Sequence, residues 1–223
     1  ARLFAEINYG PWNHFDGLAP FLPEYGEMPQ GAGFYPADMT KEEFEAWDDP
    51  NKTSLYTLIK RDENGKLQSV WYHEAYAEQI QKAADLLLKA ADLAGDKEFA
   101  DYLRLRSKAL LTDEYFESDM AWMDVRNNNV DFVVGPIENY VDALYGYKAA
   151  HEAFILIKDH AWSKQLAHYA ELLPELQTQL PVAPEYKAEK PGADADLAVY
   201  DAVFYGGDCN MAGKTIAINL PND

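Results

Sequence analysis

The stretch VDFVVGPIENYVDALYGYKAAHEAFILIKD, residues 130–159, marks the change from helical to strand-like patterning along this chain. Residues 130–134 predict a strand that ends at Gly135-Pro136, and the continuous apolar run at 153–157 predicts a short buried strand. Two more strands are predicted at 197–205 and 214–220, after one helix at 159–173. The second half of the chain is therefore predicted to be rich in β-structure.

Upstream of that stretch the periodicity is mostly helical. Apolar residues between 74 and 94 recur on one helical face, and two further helices are predicted at 97–111 and 113–123. Thr40 and Glu43 have the spacing of a capping box at the start of a short helix. A hairpin is predicted from residues 54–60 and 67–71, because the intervening Asn-Gly pair is a strong turn signal.

The order of these elements indicates an α+β fold, in which a helical layer packs on a small mixed β core. We expect residues 1–223 to form one lobe with three parts. These are an irregular segment rich in aromatic residues, Pro and Gly at 1–39, a helical part at 40–125, and a β-rich part with one helix at 126–223.

The charge of the chain excludes several classes of partner. Nineteen basic residues stand against 38 acidic ones, which argues against binding to nucleic acid or to anionic membranes. An acidic protein can favour cationic ligands such as the amino groups of peptides. The single cysteine, Cys209, forms no internal disulfide and is expected to be a small buried residue. The compartment stays open between cytoplasm and periplasm.

The sequence carries no complete catalytic or zinc motif of its own. His73-Glu74 begins like a helical zinc-peptidase motif, but no second histidine follows at the required spacing. The patterns of serine hydrolases and of phosphate- or dinucleotide-binding loops are missing as well. We therefore predict no metal ligand in this chain.

Two compact polar clusters stand out at predicted strand ends. In GPIENYVD, residues 135–142, extended backbone would point Glu138 and Tyr140 to the same side. In KTIAINLPND, residues 214–223, an apolar face alternates with a small or amide-bearing face that includes Asn219. Spacing alone favours a solvated turn at the first cluster, and an edge strand with a turn at the second, over a ligand site.

These clusters resemble segments of peptidase family M49, the dipeptidyl-peptidase III family. The resemblance is colinear over nearly the whole chain and is carried by NYGPWNHFDGLAPF, GAGFYPADMTKEEF, SLYTLIKRDENGKL, LLTDEYFESDMAWMD, GPIENYVDALYGYKAAHEAFILIKD and GDCNMAGKTIAINLPND. It implies a two-lobed enzyme that releases dipeptides from the N-terminus of peptides. The lower lobe holds the peptide, and a helical lobe downstream of residue 223 carries the zinc motif. This chain would then be the substrate-holding part, without zinc ligands, and inactive alone.

The resemblance also implies roles for individual residues. Glu138 and the amides of Asn219 and Asn222 match residues that hold the N-terminal ammonium of the peptide. Tyr140 matches a tyrosine that hydrogen-bonds the reacting carbonyl, and Glu152 matches a second acidic residue near the site. The implied partners are a peptide substrate and the zinc-binding lobe, with no nucleic acid and no membrane.

Several positions depart from the eukaryotic family pattern. Val141 and Lys148 stand where arginines are expected, and His151 also differs. A related zinc hydrolase of different specificity therefore stays open. Two further alternatives are a non-catalytic module that binds peptides or carbohydrates through its aromatic residues, and a glycosidase that uses Glu138 with Asp142 or Glu152.

Overall fold

The computed structural model describes residues 1–29, 31–187, 197–213 and 217–218. Its helices are α1 (Arg2–Asn8), α2 (Lys41–Ala46), α3 (Tyr72–Ala75), α4 (Ala77–Leu93), α5 (Lys97–Thr112), α6 (Phe116–Asp124), α7 (His160–Ala170) and α8 (Leu173–Gln179). Its strands are β1 (Trp12–Asn13), β2 (Ala19–Pro20), β3 (Thr57–Arg61), β4 (Leu67–Trp71), β5 (Val130–Glu138), β6 (Ala150–Lys158) and β7 (Tyr200–Gly207). The predicted α+β class is confirmed. The strand pairings in the described ranges are all antiparallel, where the sequence predicted a mixed β core.

Local sequence signals account for the hairpin and the short helix before it. β3 and β4 pair from Thr57 with Trp71 to Arg61 with Leu67, as predicted. The connecting turn needs a left-handed residue, and Gly65 adopts a φ of 78° there. The Thr40 side chain accepts a hydrogen bond from the Glu43 backbone N–H at 3.1 Å, which caps α2.

The helical layer is formed mainly by α4 and α5. The buried residues of α4 are Ile80, Ala84, Leu87 and Ala91, four of the five predicted for its inner face. The fifth, Leu88, is 44% exposed, because the buried stripe is narrower than the predicted one. The Asp96 side chain caps α5 by accepting from the Phe99 backbone N–H at 2.8 Å.

The second half of the chain has two α-helices where one was predicted. α7 ends at Ala170, and α8 begins at Leu173 with Pro174 in its first turn. The predicted helix at 159–173 thus corresponds to α7, which ends three residues earlier, whereas α8 was not predicted. Pro174 fits α8 because proline is tolerated in the first turn of a helix. The predicted strand at 214–220 lies outside the described residues except for Ala217 and Ile218, which have no strand assignment.

β5, β6 and β7 form a three-stranded sheet with β6 in the middle. β5 continues through Gly135-Pro136 to Glu138, four residues beyond its predicted end. A register shift between Pro136 and Glu138 accommodates the proline, which is tolerated on an outer strand or at a bulge. Because of this extension, Glu138 lies at the end of the sheet and not in a separate turn.

Two hydrophobic cores support these elements. The larger core joins α4, α5 and the hairpin, and a smaller one lies against the three-stranded sheet. Cys209 is buried in the smaller core, as predicted, with Val133, Ile137, Phe154 and Leu156. No helix among the described residues is long and apolar enough to cross a membrane.

A buried carboxylate organises the loop between β5 and β6. Asp142 accepts a hydrogen bond from the Tyr35 hydroxyl at 2.6 Å. Its two oxygens also accept from four backbone N–H groups of the same loop, those of Leu144, Tyr145, Tyr147 and Lys148. One side chain therefore satisfies polar groups that this loop would otherwise bury without partners.

Replacing Asp142 should destabilise the fold strongly. Asp142→Asn replaces one accepting oxygen by an amide NH₂ group, which would face the N–H and O–H donors that Asp142 now accepts from. We therefore expect the free energy of unfolding to fall by about 2–4 kcal/mol. Tyr35→Phe removes only one of the five donors and should cost about 1 kcal/mol. Urea unfolding of both variants measures the difference. A loss for Asp142→Asn no larger than that for Tyr35→Phe would contradict this role.

Candidate functional site

Three acidic side chains meet at one end of the three-stranded sheet. Glu138 ends β5, Glu152 lies near the start of β6, and Asp208 directly follows β7. The sheet register places Glu152 opposite both Gly135 and Gly207, which brings the three strand ends together. One carboxylate oxygen from each residue lies within 4.8 Å of the other two. We call these residues the acidic cluster.

The close approach of β6 and β7 at the acidic cluster requires glycine. Gly207 has a φ of 77°, and a Cβ atom built on it would lie 2.0 Å from the carbonyl oxygen of His151. No side chain can occupy that space without moving a strand. Gly207 therefore allows Asp208 to lie beside Glu152.

Burial and mutual repulsion perturb the acids of the cluster. Glu152 is 2% exposed, and neither of its oxygens has a hydrogen bond of normal geometry among the described residues. The Cys209 thiol and the Glu138 backbone N–H are nevertheless close enough to lower its pKa against the effects that raise it. Burial first, and then the charges of Glu138 and Asp208, raise its pKa from 4.5 to about 7. Burial and the charge of Glu138 raise the pKa of Asp208 to about 6. A cation at this place would relieve the repulsion.

Glu138 also faces an open cleft of about 380 Å³ next to the cluster. The cleft is lined by Leu55, Ile137, Glu138, Asn139, Tyr140, Ala217 and Ile218. Glu138 is half-buried, whereas Tyr140 lies in a turn and is 79% exposed. The structure thus brings Glu138 and Tyr140 to one cleft, together with the described part of the second polar segment.

The other predicted site residues fall into two groups. Glu152 lies in the acidic cluster and is not among the residues that line the cleft. Asn219 and Asn222 lie outside the described residues, so their predicted contact with an ammonium group stays a prediction.

Sequence reasoning missed Asp208. Its position follows from strand pairing across about 55 residues of sequence, because β7 must first align with β6. The available signal was the Gly206-Gly207-Asp208 run, in which a glycine pair allows close backbone approach beside an acid.

The described residues do not offer the ligands of a peptidase zinc site. The acidic cluster is the one group of three or more potential ligands found in the described part of the chain, and it has no histidine. Zinc peptidases use histidines with a carboxylate. His73 instead contacts Asp113, with Nδ1 2.8 Å from Oδ2, beside a second cleft that no predicted site residue lines.

Three positions that depart from the family pattern lie in the supporting structure. Lys148 is fully buried, and its amine donates to the carbonyl oxygens of Lys52 and Ser54 and to the Thr57 hydroxyl at 2.8–2.9 Å. Burial lowers its pKa to about 8. Val141 packs against the larger core, and the His151 ring contacts the ring of Tyr72. None of the three lines the cleft.

The carboxylate of Asp142 is occupied by hydrogen bonds within the fold. Each of its oxygens accepts hydrogen bonds from the β5–β6 loop. The geometry therefore gives no support to a glycosidase pair of Glu138 and Asp142.

The family model and the two solved structures agree on one family. Residues 38–223 match peptidase family M49. The chain is 40% identical to DPP III of Caldithrix abyssi, with a TM-score of 0.89, over 99% of this chain and 43% of that one. For dipeptidyl-peptidase III of Corallococcus sp. strain EGB the identity is 34% and the TM-score 0.86, over 99% of this chain and 42% of that one.

A plant protein with a different kind of name is similar to this chain at a comparable level of identity. The chain is 35% identical to Nudix hydrolase 3 of Arabidopsis thaliana, over 87% of this chain and 28% of that protein. The chain thus spans less than half the length of each of these three relatives.

The raised pKa of Glu152 predicts a pH-dependent penalty on stability. Because the folded protein binds the Glu152 proton more tightly than the unfolded chain does, protonation of Glu152 contributes to stability. This contribution is complete below about pH 4.5 and is lost as the pH rises through about 7. Glu152→Gln stays neutral at every pH. We therefore expect the variant to exceed wild type in free energy of unfolding by about 1–3 kcal/mol at pH 8, and by less at pH 5.5.

Urea unfolding at both pH values, with a chelator in the buffer, measures the two differences. The range stays above the isoelectric point of about 4.5, where the protein carries little net charge. An unchanged gap between the two proteins from pH 5.5 to pH 8 would contradict the assignment.

Proposed function

The chain belongs to peptidase family M49, and on that premise we propose that it is the substrate-binding portion of a zinc-dependent exopeptidase that releases dipeptides from the N-terminus of peptides. The observation that carries the proposal is the acidic cluster of Glu138, Glu152 and Asp208, of which Glu138 lines the cleft. An enzyme that cuts after the second residue must measure from the free amine, so it needs a fixed anchor for an ammonium group.

The cluster has the chemistry of such an anchor. An ammonium group has three N–H donors, and each of the three carboxylates can accept one of them. Hydrogen bonds between charged groups are shorter and stronger than neutral ones. Glu152 is buried without a partner among the described residues, so an incoming cation would compensate its charge.

The cleft next to the anchor suits an extended main chain. Its lining is apolar at Leu55, Ile137 and Ile218, apart from the polar groups around Glu138. A peptide in extended form gains main-chain hydrogen bonds with little preference for its side chains. In this proposal Tyr140, which is exposed at the cleft, donates its hydroxyl to the carbonyl oxygen of the bond to be cut.

The zinc of the whole enzyme would be bound by residues outside this chain. It would supply Lewis-acid chemistry and an activated water. The contribution of this chain is to bind the peptide, to fix its amino end and to orient its carbonyl group.

The first prediction concerns Glu138 in the full-length protein that contains this chain. Removing one partner of a desolvated charged pair costs about 2–5 kcal/mol. Glu138→Gln should therefore lower kcat/KM on a free-amine peptide by about 30-fold to about 4,000-fold, since about 1.4 kcal/mol is a factor of ten. Kinetics on that peptide and its N-acetylated twin test this, because wild type should strongly prefer the free amine.

One control variant and one variant of Tyr140 complete the kinetic test. Glu63→Gln removes one exposed carboxylate in the β3–β4 turn and should leave the preference unchanged. Tyr140→Phe should lower kcat more than it raises KM, because the hydroxyl acts on the reacting carbonyl. If folded Glu138→Gln keeps the wild-type preference for the free amine, the anchor lies elsewhere.

A separate prediction concerns the 223-residue chain alone. Because the described residues lack the ligands of a zinc peptidase, the purified chain should retain no stoichiometric zinc and release no dipeptides. Metal analysis after gel filtration and an assay on a dipeptidyl-naphthylamide measure both. Tightly held zinc together with dipeptide release would contradict the proposal that the zinc ligands lie outside this chain.

A further inference from the structure

We propose that the acidic cluster of Glu138, Glu152 and Asp208 also binds one hard divalent cation, of the Ca²⁺ or Mn²⁺ type, at the position of the substrate ammonium. The cation would then compete with the amino end of the peptide, and this part of the inference rests on the proposed function. The cation site itself rests on the cluster alone.

The spacing of the carboxylates fits an ion of this size. Oxygen ligands lie about 2.3–2.6 Å from Ca²⁺, so two ligands on opposite sides of the ion are about 4.6–5.2 Å apart. The ligand oxygens of the cluster all lie within 4.8 Å of one another. Three oxygens at the widest spacing of 4.8 Å would lie about 2.8 Å from an ion at their centre, so small side-chain movements bring one oxygen of each residue into the range for Ca²⁺.

The donor set selects the class of metal. The cluster offers three carboxylates and no histidine. Carboxylate oxygens suit Mg²⁺, Ca²⁺ and Mn²⁺, whereas zinc sites of peptidases use imidazole nitrogen. Mg²⁺ demands near-ideal octahedral geometry and loses water reluctantly, so the larger ions fit a three-sided site better.

A second observation points to a ligand. Glu152 is 2% exposed, and neither of its oxygens accepts a hydrogen bond of normal geometry from the described residues, which leaves only the weak contacts of the Cys209 thiol and the Glu138 backbone N–H. Within the same ranges, none of the three acids forms an ion pair with a lysine or arginine. Buried carboxylates are normally paired with a cation or bound to a metal, and a bound cation would supply that partner for Glu152.

The site has an entry path. Glu138 is half-buried and lines the open cleft, whereas its neighbour Glu152 is buried and does not line it. A hydrated ion can reach the partly exposed carboxylates of Glu138 and Asp208 from solvent and exchange its waters for their oxygens and for those of the buried Glu152. The peptide ammonium would arrive by the same path, which is why the two cations exclude each other.

The test is a titration of the full chain with Mn²⁺ at pH 8 in about 0.15 M NaCl, which screens weak surface binding. Electron paramagnetic resonance of free Mn²⁺ gives the bound amount. We expect one saturable site. Glu152→Gln and Asp208→Asn should each weaken it about tenfold or more, because each removes a ligand charge. Glu63→Gln, the exposed control, should bind as wild type does.

Circular dichroism verifies that the variants are folded, and the use of two variants keeps the test decisive if one is not. Absence of a saturable site, or equal Mn²⁺ affinity in wild type and both cluster variants, would overturn the proposal. Either result leaves the ammonium anchor untouched, because that anchor is tested through Glu138 and the acetylated peptide.

A competition arm connects the two proposals. A free-amine tetrapeptide should release bound Mn²⁺, and its N-acetylated twin should not. If both peptides leave the Mn²⁺ site intact, the shared position is wrong, although the cation site stands. Release by both peptides to the same extent would also count against the shared position, since the acetylated peptide has no ammonium group.

Discussion

The site depends on the distance between β6 and β7 at Gly207. The backbone there has a positive φ, and even one added methyl group would meet the carbonyl oxygen of His151 at 2.0 Å. Only with the strands this close does Asp208 lie beside Glu152. The acids repel one another, so side-chain preference cannot be what assembles them. The backbone assembles them, supported from below by the apolar core of Val133, Phe154 and Leu156.

The buried charged groups of this chain differ in whether they have hydrogen-bond partners within the fold. Asp142 has hydrogen-bond donors around both oxygens, and the amine of Lys148 donates to three oxygens. Such groups have their polar partners within the fold, and they hold the β5–β6 loop in place. Glu152 is equally buried but lacks partners among the described residues. A buried carboxylate without such partners costs stability, and its raised pKa has the same cause, namely burial next to two other acids. This cost is what the proposed binding of an ammonium group or a cation would offset.

The parts of the fold that follow from local chemistry were predictable. The Asn-Gly turn predicted the β3–β4 hairpin, and the apolar spacing predicted the inner face of α4. The extension of β5 was missed because Gly135-Pro136 is a stop signal in isolation, whereas an outer strand with a bulge tolerates it. Glu138 and Glu152 were reached through a family resemblance. Asp208 escaped because no local pattern reveals which strands will pair, and its role depends on that pairing.

If the proposed function holds, an anchor beside the cleft would allow one site to accept many peptides and still direct cleavage to a fixed bond. Under the proposed function, the acidic cluster binds the only group that every free peptide shares at its amino end. The apolar lining from Leu55 and Ile218 adds contact without demanding particular side chains. Specificity then lies in length measured from the ammonium, and the position of the cleaved bond follows from where Tyr140 stands relative to Glu138.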